Sequence, residues 1–101
     1  MRVQLTNEAK TDLREIYIYY KENGRGMYAR KIRQRSLNKI MLLKDAPKIG
    51  QIETELATIT EYTYRYLVVG VYKIYYRVAD KVVLVIRVFD TRQNPNKLKL
   101  E

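Results

Sequence analysis

The sequence contains neither cysteine nor histidine, and it contains a single serine. The absence of cysteine excludes disulfide bonds and thiolate metal sites. The absence of histidine removes the commonest metal ligand and the usual general base. Ser36 falls inside a helical pattern, so a serine–histidine mechanism is excluded as well. We therefore expect no metal, no cofactor and no small-molecule ligand.

Long hydrophobic runs are also missing. No stretch approaches the roughly 18 consecutive apolar residues of a membrane-spanning helix, and the first residues lack the apolar segment of a signal peptide. The 101 residues, 47% of them apolar, are enough for one packed core and too few for two. We expect residues 1–101 to form a single cytoplasmic domain with no membrane contact.

Acidic residues are scarce, since 20 lysines and arginines face 11 aspartates and glutamates, for a net charge of +9. The excess is concentrated in residues 24–48, where Asp45 is the only acid. A solvated basic helix face is one interpretation of this segment. The other is an electrostatic footprint for nucleic acid or for an acidic partner.

The spacing of apolar residues predicts an α+β fold. Alternation at residues 2–5 predicts a short strand, and helical spacing predicts one helix from Thr6 or Asn7 to about Asn23 and another from about Gly26 to Asp45. So short a loop between two helices implies an antiparallel helical hairpin. After Gly50 the period changes to two over residues 62–69, 72–78 and 82–89, which predicts a three-stranded antiparallel β-meander followed by a short tail.

In each predicted meander strand the even-numbered residues form an apolar face, and we expect this face to be buried against the helices. The residues expected there are Tyr64, Tyr66, Ile74, Tyr76, Leu84, Ile86 and Val88, packed on Leu13, Ile16, Ile32 and Ile40. The odd-numbered alternation places four cations on the opposite face: Arg65, Lys73, Arg77 and Arg87. Four cations without a carboxylate predict an anion-binding face, and an ordinary solvated sheet face is the alternative.

Three stretches carry a resemblance to a known family: EAKTDLREIYIYY in the first helix, YRYLVVGVYKIYYRVADKVVLVIRVF across the meander, and DTRQNP after it. In order and spacing they resemble the RelE/ParE toxins of bacterial type II toxin–antitoxin modules. The A-K-x-D-L-x-x-I pattern of the first helix and the RVF…R ending look closer to the ParE branch. The resemblance implies one RelE/ParE-like toxin domain over residues 1–101.

The two branches of that family act differently. ParE-like members poison DNA gyrase by binding it, without known catalytic residues, whereas RelE-like members cleave mRNA in the ribosomal A site with cations and a late tyrosine. The cationic positions of the RelE-like enzymes fall on Arg65, Lys73 and Arg92. The partner of Arg65 falls near Leu67 and the late tyrosine falls on Leu98, so that a ribonuclease would need another base, such as Tyr75 or Tyr76.

Four functions remain open, in this order: a ParE-like gyrase inhibitor, a RelE-like ribosome-dependent mRNA interferase, a basic nucleic-acid-binding domain, and a degenerate toxin that only binds its antitoxin. The resemblance implies a cognate antitoxin with an acidic C-terminal segment, and DNA gyrase, or alternatively the ribosome and mRNA, as target. We expect Arg92 on the toxic surface, with Lys73 and Arg65 near it across the meander. Leu100 and Glu101 are assigned no role. The residues expected to contact the target or its phosphates are Arg65, Lys73, Arg77, Arg87 and Arg92.

Overall fold

The computed structural model describes residues 1–55 and 61–101. Two helices, α1 (Asn7–Glu22) and α2 (Gly26–Leu42), follow the first strand and precede the meander. The strands are β1 (Arg2–Leu5), β2 (Gln51–Ile52), β3 (Arg65–Val69), β4 (Tyr72–Ala79) and β5 (Val82–Asp90), and a short 3₁₀ helix spans Pro95–Lys97. The predicted α+β order is confirmed.

The first and last residues of α1 follow from local chemistry. The Thr6 side chain accepts a hydrogen bond from the Ala9 N–H and so caps α1, and its hydroxyl donates to the carbonyl of Ile86 on β5. Gly24 adopts φ +75°, a left-handed conformation that suits glycine, immediately after α1 ends. The three residues between the helices fold the chain back on itself, and α1 and α2 pack together as the predicted hairpin.

The described strands form one sheet in the order β1-β5-β4-β3-β2. β1 runs parallel to β5, and the remaining neighbours are antiparallel. β3 begins at Arg65 rather than at the predicted Tyr62, and the two-residue β2 was not predicted. Since β1 pairs with β5 only as far as Val85, the last part of β5 extends beyond its neighbour.

The main core lies between the helices and one face of the sheet. Its largest fully buried side chains come from α2, where Ile32 and Ile40 are at most 2% exposed, and from β4, where Ile74 and Tyr76 are fully buried. On β4 the even-numbered residues Tyr72, Ile74 and Tyr76 pack in this core, as predicted for that alternation.

On β3 and on most of β5 the predicted face is wrong. Leu67 and Val69 pack on the helices, whereas Tyr64 and Tyr66 lie on the other side. On β5 a bulge pairs Tyr75 with Arg87 but Tyr76 with Val85, which leaves Ile86 as an extra residue and reverses the alternation. Before the bulge the odd-numbered residues of β5 therefore face the helices. After the bulge the even-numbered residue Val88 faces them. Both alternations of these strands are apolar, so the periodicity alone could not distinguish the two faces.

The second face of the sheet is covered by the C-terminal tail, so both the predicted anion-binding face and its alternative, an ordinary solvated face, are wrong as descriptions of an open surface. Leu98 and Leu100 cross this face and form a second core. Its buried members are Tyr64, Tyr75, Ile86, Phe89, Leu98 and Leu100. Leu100 and Glu101, which the sequence left without a role, thus have definite contacts: Leu100 is 7% exposed and the Glu101 carboxylate pairs with Arg77.

Within the two described ranges, neither helix combines the length and the apolar character needed to cross a membrane.

Candidate target-binding surface

The five predicted contact residues do not share one face. Residues paired directly across an antiparallel ladder project from the same side of the sheet. Arg65 is paired with Tyr76 and therefore lies on the helix side, where its guanidinium donates to the carbonyls of Gly50 (2.9 Å) and Lys48 (3.2 Å). Lys73 is paired with Phe89, on the side covered by the tail. The expectation that Arg65 and Lys73 lie together is wrong, because the face of β3 was assigned in reverse.

A groove lies between α1 and the exposed end of β5, and we call it the α1–β5 groove. Its volume is about 530 Å³. It arises because β1 ends before β5 does, so that α1 borders the last part of β5 directly. It is lined by Asp12, Glu15, Ile16, Tyr19, Tyr72, Arg87, Val88, Phe89, Asp90, Arg92, Gln93 and Lys97.

At one side of this groove, Asp12 of α1 joins the helix to the free edge of β5. Its two carboxylate oxygens accept hydrogen bonds from the Arg87 guanidinium at 2.7 and 3.0 Å, and one of them also accepts the Val88 N–H at 2.9 Å. The carboxylate raises the pKa of Arg87 further above its ordinary value. Arg87 is therefore held by an internal carboxylate rather than left free on a cationic face.

Arg92 lies at the rim of the groove and is the most accessible of the paired arginines, with 59% of its side chain exposed. Its Nη2 and Nε donate to the two oxygens of Asp90 at 2.8 and 3.0 Å, and its backbone N–H donates to the same carboxylate at 2.9 Å. These bonds hold the pKa of Asp90 below its ordinary value. The turn after β5 thus orients an exposed guanidinium, as the sequence predicted for this position.

Two tyrosines support the base of the groove next to Arg92. The Tyr72 hydroxyl donates to the Tyr20 hydroxyl at 3.0 Å, and both rings are buried in the main core. Burial is the main cause that raises the pKa of the Tyr72 phenol. Tyr19, by contrast, is 58% exposed at the groove's edge. An exposed tyrosine and an oriented arginine that line one groove are residue types that protein interfaces favour.

The remaining cations lie elsewhere. Arg77 and Arg65 line a smaller cleft of about 330 Å³ together with Lys48, Glu61, Tyr62, Thr63 and Val78. Arg77 donates to both oxygens of Glu101 at 2.9 and 3.0 Å, and Glu101 also accepts a hydrogen bond from the Tyr64 hydroxyl. These bonds lower the pKa of Glu101, chiefly through Arg77. Lys73 lines neither cavity, and its ammonium lies 4.2 Å from the centre of the Tyr66 ring.

The side chains considered as replacement bases are inaccessible. Tyr75 is 3% exposed and Tyr76 is fully buried, and burial raises the pKa of both phenols. The Tyr76 hydroxyl is also engaged, since it accepts the Gly50 N–H at 2.9 Å. Leu98 is buried under the second face of the sheet. A phenol with a raised pKa and no path to solvent is a poor general base at neutral pH.

Sequence reasoning missed the carboxylates that pair with the predicted cations. Asp12 and Arg87 are 75 positions apart, and no local pattern joins them. Asp90 and Arg92, only two positions apart, could have been read as a pair. In the described part of the chain no cluster of acidic side chains has the arrangement of a metal site.

The comparisons with known proteins agree with this architecture. A family model described as the ParE toxin of the type II toxin–antitoxin system parDE matches residues 3–95. Among solved structures, a chain of the "Chromosomal ParDE TA system from P. aeruginosa" matches with a TM-score of 0.72 and 22% identity, over 89% of this chain and 95% of that one. At that identity the likeness bears on the fold alone. No match was found among curated proteins. Since the family model spans almost the whole sequence, the chain belongs to the ParE family of toxins of type II toxin–antitoxin systems.

Proposed function

We propose that this toxin arrests bacterial growth by binding DNA gyrase and inhibiting supercoiling, without catalysis of its own. On this proposal the toxin acts in the cytoplasm, and residues 1–101 form one toxin domain. Membership of the ParE family supports it, because the resemblance drawn from the sequence assigns gyrase to this branch.

The observation that carries the proposal is that, within the described residues, the tyrosines considered for proton transfer are buried, a leucine stands at the late-tyrosine position, and the candidate cations are dispersed. A ribonuclease of the RelE type needs cations that hold the scissile phosphate and a group that takes the 2′-hydroxyl proton. Here Leu98 stands at the position of the late tyrosine, and Tyr75 and Tyr76 are buried with raised pKa values. The three candidate cations are also dispersed: Arg65 on the helix side, Lys73 on the tail side and Arg92 beyond β5.

Binding, unlike catalysis, requires only an exposed and well-oriented surface, and the α1–β5 groove supplies one. Arg92 and Tyr19 are each more than half exposed at its rim, and Lys97 adds a further cation. The guanidinium is oriented by Asp90, so less conformational entropy is lost when a partner binds. We assign the gyrase contact to this groove and to the exposed Arg92 at its rim.

The cognate antitoxin completes the proposal. We propose that its acidic C-terminal segment folds against the toxin, because a chain of net charge +9 attracts such a segment and because charge complementarity accelerates encounter.

Two assays with the same purified protein test the target. We expect the wild-type toxin to inhibit supercoiling by purified gyrase and to leave ribosome-bound mRNA intact. Arg92→Ala should weaken the inhibition by at least about tenfold, as expected when an oriented arginine that anchors an interface is removed. Arg14→Ala is the matched control, since it removes the same charge from an exposed position of α1 outside the groove. Codon-positioned mRNA cuts that disappear in Arg92→Ala, with gyrase unaffected, would favour the RelE-like interferase instead.

A further inference from the structure

Helix α2 carries a cationic surface that the α1–β5 groove does not include. It contains five lysines and arginines and no acidic residue: Arg30, Lys31, Arg33, Arg35 and Lys39. All five side chains are exposed, and none of them forms an ion pair with any residue in the ranges 1–55 and 61–101. We call these five side chains the α2 cationic face.

The cations flank a polar strip. Lys31, Arg35 and Lys39 recur every fourth residue and therefore form a row along the helix, with a rise of about 6 Å between members. Arg30 and Arg33 lie on the other side of the exposed surface. Between the two sides lie Gln34 and Asn38, whose side chains are joined by a hydrogen bond of 2.9 Å.

This arrangement is unfavourable for the helix itself. Like charges four residues apart repel each other. The first turn of α2 has no acidic residue to complement the helix dipole, and its N-cap, Arg25, makes no side-chain capping bond. A sequence that departs in this way from what stabilises a helix is expected where the side chains serve a function.

The distribution of apolar side chains indicates the kind of partner. The most exposed apolar residues lie near the ends of α2, with Met27 80% exposed and Met41 and Leu42 just over half exposed, whereas Leu37 in the middle of the helix is 38% exposed. The central turns present chiefly cations and amides. An acidic amphipathic helix would need an apolar strip along the centre to bury its own apolar face, whereas a phosphate backbone needs only cations.

We propose that the α2 cationic face binds the phosphate backbone of duplex DNA. The major groove of B-DNA, about 12 Å wide, admits an α-helix, and cations on both sides of the helix would then reach phosphates on both strands. The deep, narrow major groove of duplex RNA does not admit a helix in this way. The amides of Gln34 and Asn38 would face the base edges. This activity is independent of the proposed action on gyrase.

The test measures the binding of a fluorescein-labelled DNA duplex of random sequence. Fluorescence anisotropy gives the affinity at each of a series of salt concentrations. The triple variant Lys31→Gln/Arg35→Gln/Lys39→Gln should bind at least about tenfold more weakly at low salt. Its plot of log affinity against log salt should be shallower by roughly 2 to 3, since each lost phosphate contact removes about 0.9 from the slope. The control Lys10→Gln/Arg14→Gln/Lys21→Gln removes the same charge from exposed positions of α1 and should change both quantities much less.

The proposal would be overturned by no binding of the duplex by the wild type at low salt, by equal losses in the two triple variants, or by equally strong displacement by a polyglutamate peptide, which would indicate an acidic protein partner. A duplex RNA of the same length should bind more weakly, and equal binding would contradict the major-groove geometry. Thermal melting followed by circular dichroism verifies that each variant is folded. If the triple variant melts early, Lys31→Gln/Lys39→Gln provides the same comparison. None of these measurements involves gyrase, so a failure here leaves the proposed function untouched.

Discussion

At the scale of single residues, the Asp12 carboxylate serves as hydrogen-bond acceptor for two different donors. Beyond the end of β1, the Val88 N–H lies on the free edge of β5. Arg87 lies next to it, directly after the bulge. Asp12 accepts hydrogen bonds from both, from Val88 N–H and from Arg87. Its side chain is only 12% exposed, and that of Arg87 is 25% exposed. The interaction is therefore partly shielded from water, where ion pairs and unsatisfied groups matter more than at the surface.

We expect Asp12→Ala to lower the free energy of unfolding by about 2–4 kcal/mol, because it leaves both a partly buried guanidinium and a backbone N–H without their acceptor. Asp12→Asn retains an oxygen for Val88 and should cost less. The measurement is urea denaturation of both variants, of Arg87→Ala and of the Asp12→Ala/Arg87→Ala double variant. We expect a coupling free energy between the two side chains of about 1–3 kcal/mol. Additive losses would contradict a direct interaction.

The pKa of the Asp90 carboxyl, at the rim of the groove, can be measured directly. Arg92 lowers the pKa of the folded Asp90 carboxyl below its unfolded value. The pair therefore stabilises the fold above the unfolded pKa, roughly 4, and that contribution is lost as the pH falls through the lower folded value. Titration of the Asp90 carboxyl carbon by NMR should give a pKa below the ordinary aspartate value in the wild type and a higher one in Arg92→Ala. An unchanged pKa in the variant would show that other groups hold Asp90. The melting temperature at neutral pH should change little, since Arg92 is exposed.

What the sequence predicts about single residues depends on the distance between partners. The exposure of Arg92 could be predicted because it follows directly after a strand, in a polar segment, and its partner Asp90 is two residues away. The burial of Arg87 against Asp12 could not, because the contact depends on where β1 stops relative to β5.

At the scale of elements, the helices and strands were predictable and the faces of the strands were not. Helical periodicity locates α1 and α2 because each helix has one apolar side. β5, with Val82–Ile86 apolar at every position, is buried on both sides and carries no such asymmetry. The bulge at Ile86 then shifts the alternation within one strand. A tail that covers the second face is a tertiary contact, and its two leucines are separated by a lysine, a pattern too short to predict a strand.

The tail's role is testable through Leu98, which is 8% exposed in the second core. Leu98→Ala should destabilise the protein by about 2–4 kcal/mol, the usual cost of replacing a buried leucine by alanine. Leu37→Ala, at a partly exposed position of α2, is the matched control and should cost less than about 1 kcal/mol. Guanidinium denaturation measures both. Equal and small losses would mean that the tail does not cover the sheet in solution.

At the scale of the whole molecule, the internal pairing of cations leaves an uneven surface. Arg77, Arg87 and Arg92 are each matched by a carboxylate within the described chain. The α2 cationic face groups five cations on one helix without an acidic residue, whereas the α1–β5 groove combines acids, bases and aromatic side chains. Two surfaces of such different character suit two different partners. The mixed groove favours a shaped protein interface, and the uniform helix favours a polyanion.

A toxin with this construction should arrest growth only when its own partner is absent. We expect expression of the chain alone in bacteria to stop growth, and co-expression of its cognate antitoxin to restore it, because an acidic segment folded on the toxin would keep it from its target. Arg92→Ala, produced in equal amount, should be much less toxic, while Arg14→Ala should remain toxic. Growth curves after induction, with the folded protein quantified in each culture, provide the measurement. Normal growth despite abundant folded wild-type protein would indicate a degenerate toxin that has kept the fold and lost the activity.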